Sequence, residues 1–194
     1  ANAASNNDSS NNDDGGIGGD PDPNTDPFVP EEEIDYTFSQ PAVVGEQVFV
    51  ANETLNSVVV INSTTLGIST LPVGFGPTEV VGPQAPGAEG ARVFVLNQGS
   101  SSVTILEPST DGAETVPVTP RANRLVGNED GTAAVAWYDE DAAEPGTPAG
   151  DLSSVTLVRQ GQAHEVAVGF NVREVFWDEA GERALVISDD GVSV

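Results

Sequence analysis

The sequence predicts an all-β fold assembled from repeated four-stranded units, and three observations carry that expectation. Short Val-rich runs are separated by Gly, Pro, Asn and Asp, and no segment shows helical periodicity. The runs return in a fixed order, with starts 45, 41 and 50 residues apart. The 194 residues contain neither Cys nor Met, which excludes disulfide staples, thiolate metal sites and cysteine nucleophiles and leaves packing to stabilise the fold.

The first segment, residues 1–35, is expected to stay outside the β domain. From Ala1 to about Pro30 it is Asn, Asp, Ser, Gly and Pro, with Ile17, Phe28 and Val29 as the only sizeable apolar residues, too few for a core. Ten acidic residues and no basic one lie between Ala1 and Asp35, so the segment reads as an extended, self-repelling tether. The domain is expected over residues 36–194.

Within that domain the repeat is explicit. Gln47-Val-Phe-Val-Ala-Asn52 returns as Arg92-Val-Phe-Val-Leu-Asn97, Ala133-Ala-Val-Ala-Trp-Tyr138 and Arg183-Ala-Leu-Val-Ile-Ser188. Behind it, Ser57-Val-Val-Val-Ile61 returns as Ser102-Val-Thr-Ile-Leu106 and Ser154-Val-Thr-Leu-Val158, with a shortened copy at Val192-Ser-Val194. A third run, Ser69 to Gly74, matches Glu114 to Thr119 and Glu165 to Gly169. A fourth, Thr78 to Val81, matches Asn123 to Val126 and Arg173 to Phe176. We label the strands a (Thr78 to Val81), b (Val48 to Val50), c (Val58 to Ile61) and d (Thr70 to Val73), each from one copy. Four short strands in each interval of this length is the spacing of a β-propeller blade, which predicts about three and a half blades here.

Val73-Gly74, Gly76-Pro77, Arg92-Val-Phe-Val95 with Asn97, and Ser102-Val-Thr-Ile105 resemble the YVTN family of β-propeller repeats. The likeness covers about Gln40 to Val194. It implies a bacterial or archaeal surface or periplasmic protein, a ring of about seven blades, and hence a chain belonging to a longer protein. The third unit departs from the pattern: Ala136-Trp137-Tyr138 replaces the usual Val-Ala-Asn, and the b–c connection grows into Asp139 to Asp151. Such an insertion is a natural place for individual function.

Composition narrows the functional classes. Thirty-one Asp and Glu against six Arg and no Lys give a formal charge of −25, which repels nucleic acid and anionic membrane surfaces. The same surface favours cations, basic partners or solubility in a salty medium. No stretch approaches the ~18 apolar residues of a membrane span. A secreted or cell-surface location, or a periplasmic one, is the expectation.

In a propeller the b–c and d–a loops share one face. Asn52, Glu53, Asn97, Gln98, Asp139, Glu140, Asp141, Asp189 and Asp190 are therefore expected on one rim. A crown of this kind, with Asp139, Asp141, Asp189 and Asp190 as carboxylate ligands, suits Ca²⁺, a hard cation that takes several oxygens. The alternative is polar turn residues in solvent, since Asp and Asn are favoured in turns for backbone reasons. Asp20, Asp22, Asn24 and Asp26, followed by Glu31, also resemble a Ca²⁺-binding loop, but Thr25 stands where that loop wants Gly, and Pro21 and Pro23 stiffen it.

Catalysis is not expected within these residues. His164 is the only histidine and falls on an outer d strand, so a Ser/His/Asp triad or histidine-rich metal site has no basis. Asn7, Asn52 and Asn62 head N-x-Ser/Thr sequons. Trp137 and Trp177 read as packing residues, although Trp137 and Tyr138 open the long insertion. The expectation is a non-catalytic binding module recognising a protein or surface polymer. One alternative is a structural subunit of an extracellular filament or surface layer that forms a homo-oligomer or filament through the N-terminal segment or blade edges; another is an enzyme whose catalytic groups lie outside this segment.

Overall fold

The computed structural model describes residues 34–84, 90–110 and 112–194. The calls on Asn7, Asp20, Asp22, Asn24, Asp26 and Glu31 lie outside them. Asp35 to Val194 form one compact unit.

Among the described residues, fifteen strands fall into four antiparallel sheets in series. The first contains β1 (Ala42–Val44), β2 (Gln47–Asn52), β3 (Ser57–Asn62) and β4 (Ile68–Pro72). The second contains β5 (Pro77–Val81), β6 (Val93–Asn97), β7 (Ser102–Glu107) and β8 (Gly112–Pro117). The third contains β9 (Arg124–Gly127), β10 (Ala133–Trp137), β11 (Ser154–Arg159) and β12 (Gln162–Ala167). The fourth contains β13 (Val172–Trp177), β14 (Ala184–Ser188) and β15 (Gly191–Ser193). These are consecutive propeller blades, each strand pairing with the next in sequence. The repeat shows no a strand for the first blade; β1 supplies one, paired with β2 from Ala42 opposite Phe49.

Register follows the repeat. Asn52 faces Ser57, Asn97 faces Ser102, and Ser188 faces Gly191, so the b–c hairpins of the first, second and fourth blades close at equivalent positions. The a strands of the second and fourth blades carry a bulge at Thr78 and Arg173, between Pro77 and Glu79 and between Val172 and Glu174. A bulge re-aims the side chain at its position.

Strand character tracks position. β6 and β10 are buried at every residue because the b strand lies inside its sheet and both sheet faces are covered by neighbouring blades. The d strands β4 and β12 are largely exposed and carry Ser, Thr, His and Glu, residues that discourage sheet edges from pairing with other chains.

The core lies between blades. Phe49, Ala51, Val58 and Val60 of the first blade meet Val80, Val93, Val95 and Leu106 of the second. The opposite face of the second presents Phe94, Leu96, Val103 and Ile105 to Leu125, Ala134, Ala136 and Val158 of the third. Val135, Trp137 and Val155 of the third then meet Val172, Val175 and Val186 of the fourth. Large side chains oppose small ones, Phe94 and Leu96 against Ala134 and Ala136, which lets the layers interlock at native density. Two expectations follow from that packing. Phe94→Ala, at a side chain 1% exposed, should lower unfolding stability by about 3–5 kcal/mol. Ile68→Thr, on the exposed d strand β4, should stay within about 0.5 kcal/mol; equilibrium denaturation of both variants checks the contrast.

Candidate functional site

The rim is built by one clamp used three times. As the chain leaves a d strand, Val73 donates its N–H to the carbonyl of Asn56, Val118 to that of Ser101, and Val168 to that of Ser153. Each crossing then passes a left-handed residue, Gly76 (φ 63°), Arg121 (φ 64°) and Asn171 (φ 59°). Gly and Asn adopt that conformation readily, whereas Arg is strained there. Side chains of the b–c loops hold each crossing: from the next blade, Ser100 Oγ accepts from Phe75 N (3.1 Å) and Asp190 Oδ2 from Phe170 N (2.7 Å), and from the blade the chain is leaving, Ser101 Oγ accepts from Arg121 N (3.1 Å).

Part of the expected polar crown is not presented to solvent. Asn52 and Asn97 are buried, 3% and 0% exposed. Asn52 Oδ1 accepts from Leu55 N, closing the b–c turn. Asn97 Nδ2 donates to Ser102 Oγ (3.2 Å) and Thr104 Oγ1 (2.9 Å). The Asn52 sequon is therefore closed to a glycan in the folded blade, while Asn62 Oδ1 accepts from Thr64 and Thr65 N.

Of the carboxylates named from the sequence, Asp139, Asp141 and Asp189 pair with arginines, and Asp190 accepts from the Phe170 N–H. Asp139 is buried; its Oδ1 accepts from Asp141 N and its Oδ2 from Arg124 Nε at 3.1 Å. Arg173, aimed by the bulge in β13, bridges two blades. Its Nε and Nη2 grip Asp189 at 2.7 and 3.0 Å, and its Nη1 reaches Asp141 of the insertion. The hydrogen bond from Arg173, with a second from Asn171, holds the Asp189 carboxyl below the usual carboxylate range. A cation at Asp141 and Asp189 would have to displace that guanidinium. Among the described residues, no group of three or more His, Cys, Asp or Glu is arranged to hold a metal ion.

Over the first three blades a cleft of about 470 Å³ opens. The first blade contributes Glu53 and Asn56, the first crossing Phe75, the second blade Gln98 and Gly99, and the second crossing Arg121 and Asn123. The far wall is the Asp139 to Asp151 insertion, through Ala143, Glu144, Thr147 and Pro148. Phe75 is 65% exposed and its ring lies on Gly99, where an added Cβ would stand 2.3 Å from Cδ1. Tyr138 forms the floor, only 4% exposed beneath Gly150, and Trp137 is buried in the core between the third and fourth blades. A second hollow shares Gln98, Asn123 and Glu144 and continues along β5 to Glu79. Burial raises the Glu79 pKa, against the hydrogen bond it accepts from Leu125 N at 2.9 Å and the charge of Arg124.

Phe75, Arg121 and Glu144 were not among the residues singled out from the sequence. A signal was present for the first: Phe75 and Phe170 occupy the same register of the crossing, each between residues suited to tight turns.

No protein-family model matches the chain, and no curated protein matches its sequence. Solved structures match its fold. Hydrazine synthase of Kuenenia stuttgartiensis superposes with a TM-score of 0.56 at 16% identity, over 84% of this chain and 46% of that one. The Pan2 WD40 domain of Neurospora crassa gives 0.56 at 16%, over 80% and 47%. A streptogramin B lyase gives 0.50 at 9%, over 77% and 47%. The fold is a β-propeller. The chain spans about half the length of these structures, and at such identities the likeness concerns fold alone. No helix among the described residues is long and apolar enough to cross a membrane.

The two shifted carboxyls predict opposite pH behaviour. The folded Glu79 pKa lies above its unfolded value of about 4.3, so the folded state binds the extra proton and stability falls as pH rises through that window. Glu79→Gln should raise the thermal midpoint at pH 7, and the gain should vanish near pH 4. The folded Asp189 pKa lies below its unfolded value of about 3.9, so its contribution is present above that value and lost on acidification. Asp189→Asn should lower the midpoint at pH 7, with the difference closing in acid. Thermal unfolding across pH checks both.

Proposed function

We propose that this chain is a YVTN-type propeller acting as a non-catalytic binding module at the cell surface, with its ligand seated on the rim of the first three blades. The observation that carries this reading is the cleft, in which an exposed Phe75 stands on loops held rigid by the crossing clamp. Exposed aromatics in a concave, pre-formed site are the usual anchors of recognition. Further support comes from the insertion, since the one connection that departs from the repeat is the one that walls the cleft. The single histidine, His164, stands on the outer strand β12, away from these loops. The partner is a protein or a surface polymer.

Labelled protein applied to intact cells of the producing organism tests the reading. Phe75→Ala should weaken saturable binding by about tenfold or more, and Ile68→Thr on β4 should bind as the parent chain does. The reverse pattern, with concentration-dependent growth in sedimentation velocity that Ile68→Thr abolishes, would replace it with the structural-subunit alternative.

A further inference from the structure

We propose that the rim cleft takes a neutral, polyhydroxylated ligand, a short stretch of an uncharged saccharide. The proposal rests on the binding-module reading and names its ligand class.

Its basis is the chemistry left unused in the cleft. Glu53, Gln98, Arg121 and Glu144 line the cavity, and among the described residues their side chains hold no ion-pair or hydrogen-bond partner. Two other arginines of the rim are already paired, Arg124 with Asp139 and Arg173 with Asp141 and Asp189. The cleft thus offers carboxylates that accept, a guanidinium that donates and an amide that does both. Phe75 supplies a flat apolar face beside them. Arg121 also holds the left-handed position that its counterparts fill with Gly76 and Asn171, and strain of this kind gathers at functional sites.

Charge decides among the ligands that could use this set. A basic segment would suit Glu53 and Glu144 but press a cation on Arg121. An acidic one would suit Arg121 but meet Glu53, Glu144 and a chain of net charge −25. Hydroxyl groups satisfy both signs at once, as donors to carboxylates and acceptors from guanidinium. The C–H face of a sugar ring covers Phe75 without desolvating a charge. A cavity of about 470 Å³ is within the usual range of ligand pockets. Because the ligand is uncharged, its affinity should be nearly indifferent to salt, whereas a cationic ligand would lose affinity as salt screens the acidic surface.

The test is calorimetric titration of the chain with neutral cello-, xylo-, manno- and malto-oligosaccharides, with oligogalacturonate and oligolysine as charged arms, at low and high salt. The expected result is binding of at least one neutral series, changing less than about twofold with salt. Phe75→Ala and Arg121→Gln should each weaken it about tenfold, with thermal midpoints and circular dichroism near the parent's; Ile68→Thr should leave it intact. Binding of oligolysine alone, falling with salt, would overturn the proposal in favour of a basic partner, and oligogalacturonate alone in favour of an anion site. If no series binds while Phe75→Ala still abolishes attachment to cells, the saccharide assignment fails and the binding-module reading stands. If Phe75→Ala leaves attachment unchanged and no series binds, both fail.

Discussion

Burial of blade faces against one another, both faces in the second and third blades, is the constraint on which the rest of this structure depends. β6 turns Val93 and Val95 to the first blade and Phe94 and Leu96 to the third. A sheet with two apolar faces cannot stand in water alone, so each blade is stabilised by the next. The consequence is a core distributed as layers between sheets, in which Ala134 and Ala136 are as necessary as the Phe94 they receive.

That arrangement sends every polar requirement to the ends of the strands. Crossings between blades must satisfy their backbone groups without regular pairing, and they do so through Ser100, Ser101, Asp190 and the left-handed residues Gly76, Arg121 and Asn171. The rim is consequently rigid where it is clamped and individual where it is not. The insertion after β10 exploits this: Tyr138 is held under Gly150, and Glu144 and Pro148 wall a cleft that the other b–c loops are too short to form.

The acidic surface takes its meaning from the same geometry. Arg124 and Arg173 lock carboxylates across the a strands and the insertion: Arg124 holds the buried Asp139, while the exposed Arg173 pairs add little stability but fix orientation. Arg121, by contrast, faces the cleft. The division between structural and available arginines is what distinguishes the site from the remaining rim.

By itself the sequence determined the blade, because strand periodicity, turn residues and repeat spacing are local properties that each copy states again. It also named loop carboxylates expected on one rim. Only the tertiary structure decided which rim groups are available. Whether Asp189 is a free ligand or a partner of Arg173, and whether Asn97 faces solvent or Thr104, depends on residues from separate strands or blades meeting in space. The cleft was hidden for the same reason: Glu53, Phe75, Gln98, Arg121 and Glu144 span more than ninety residues of chain and become neighbours because three blades pack face to face.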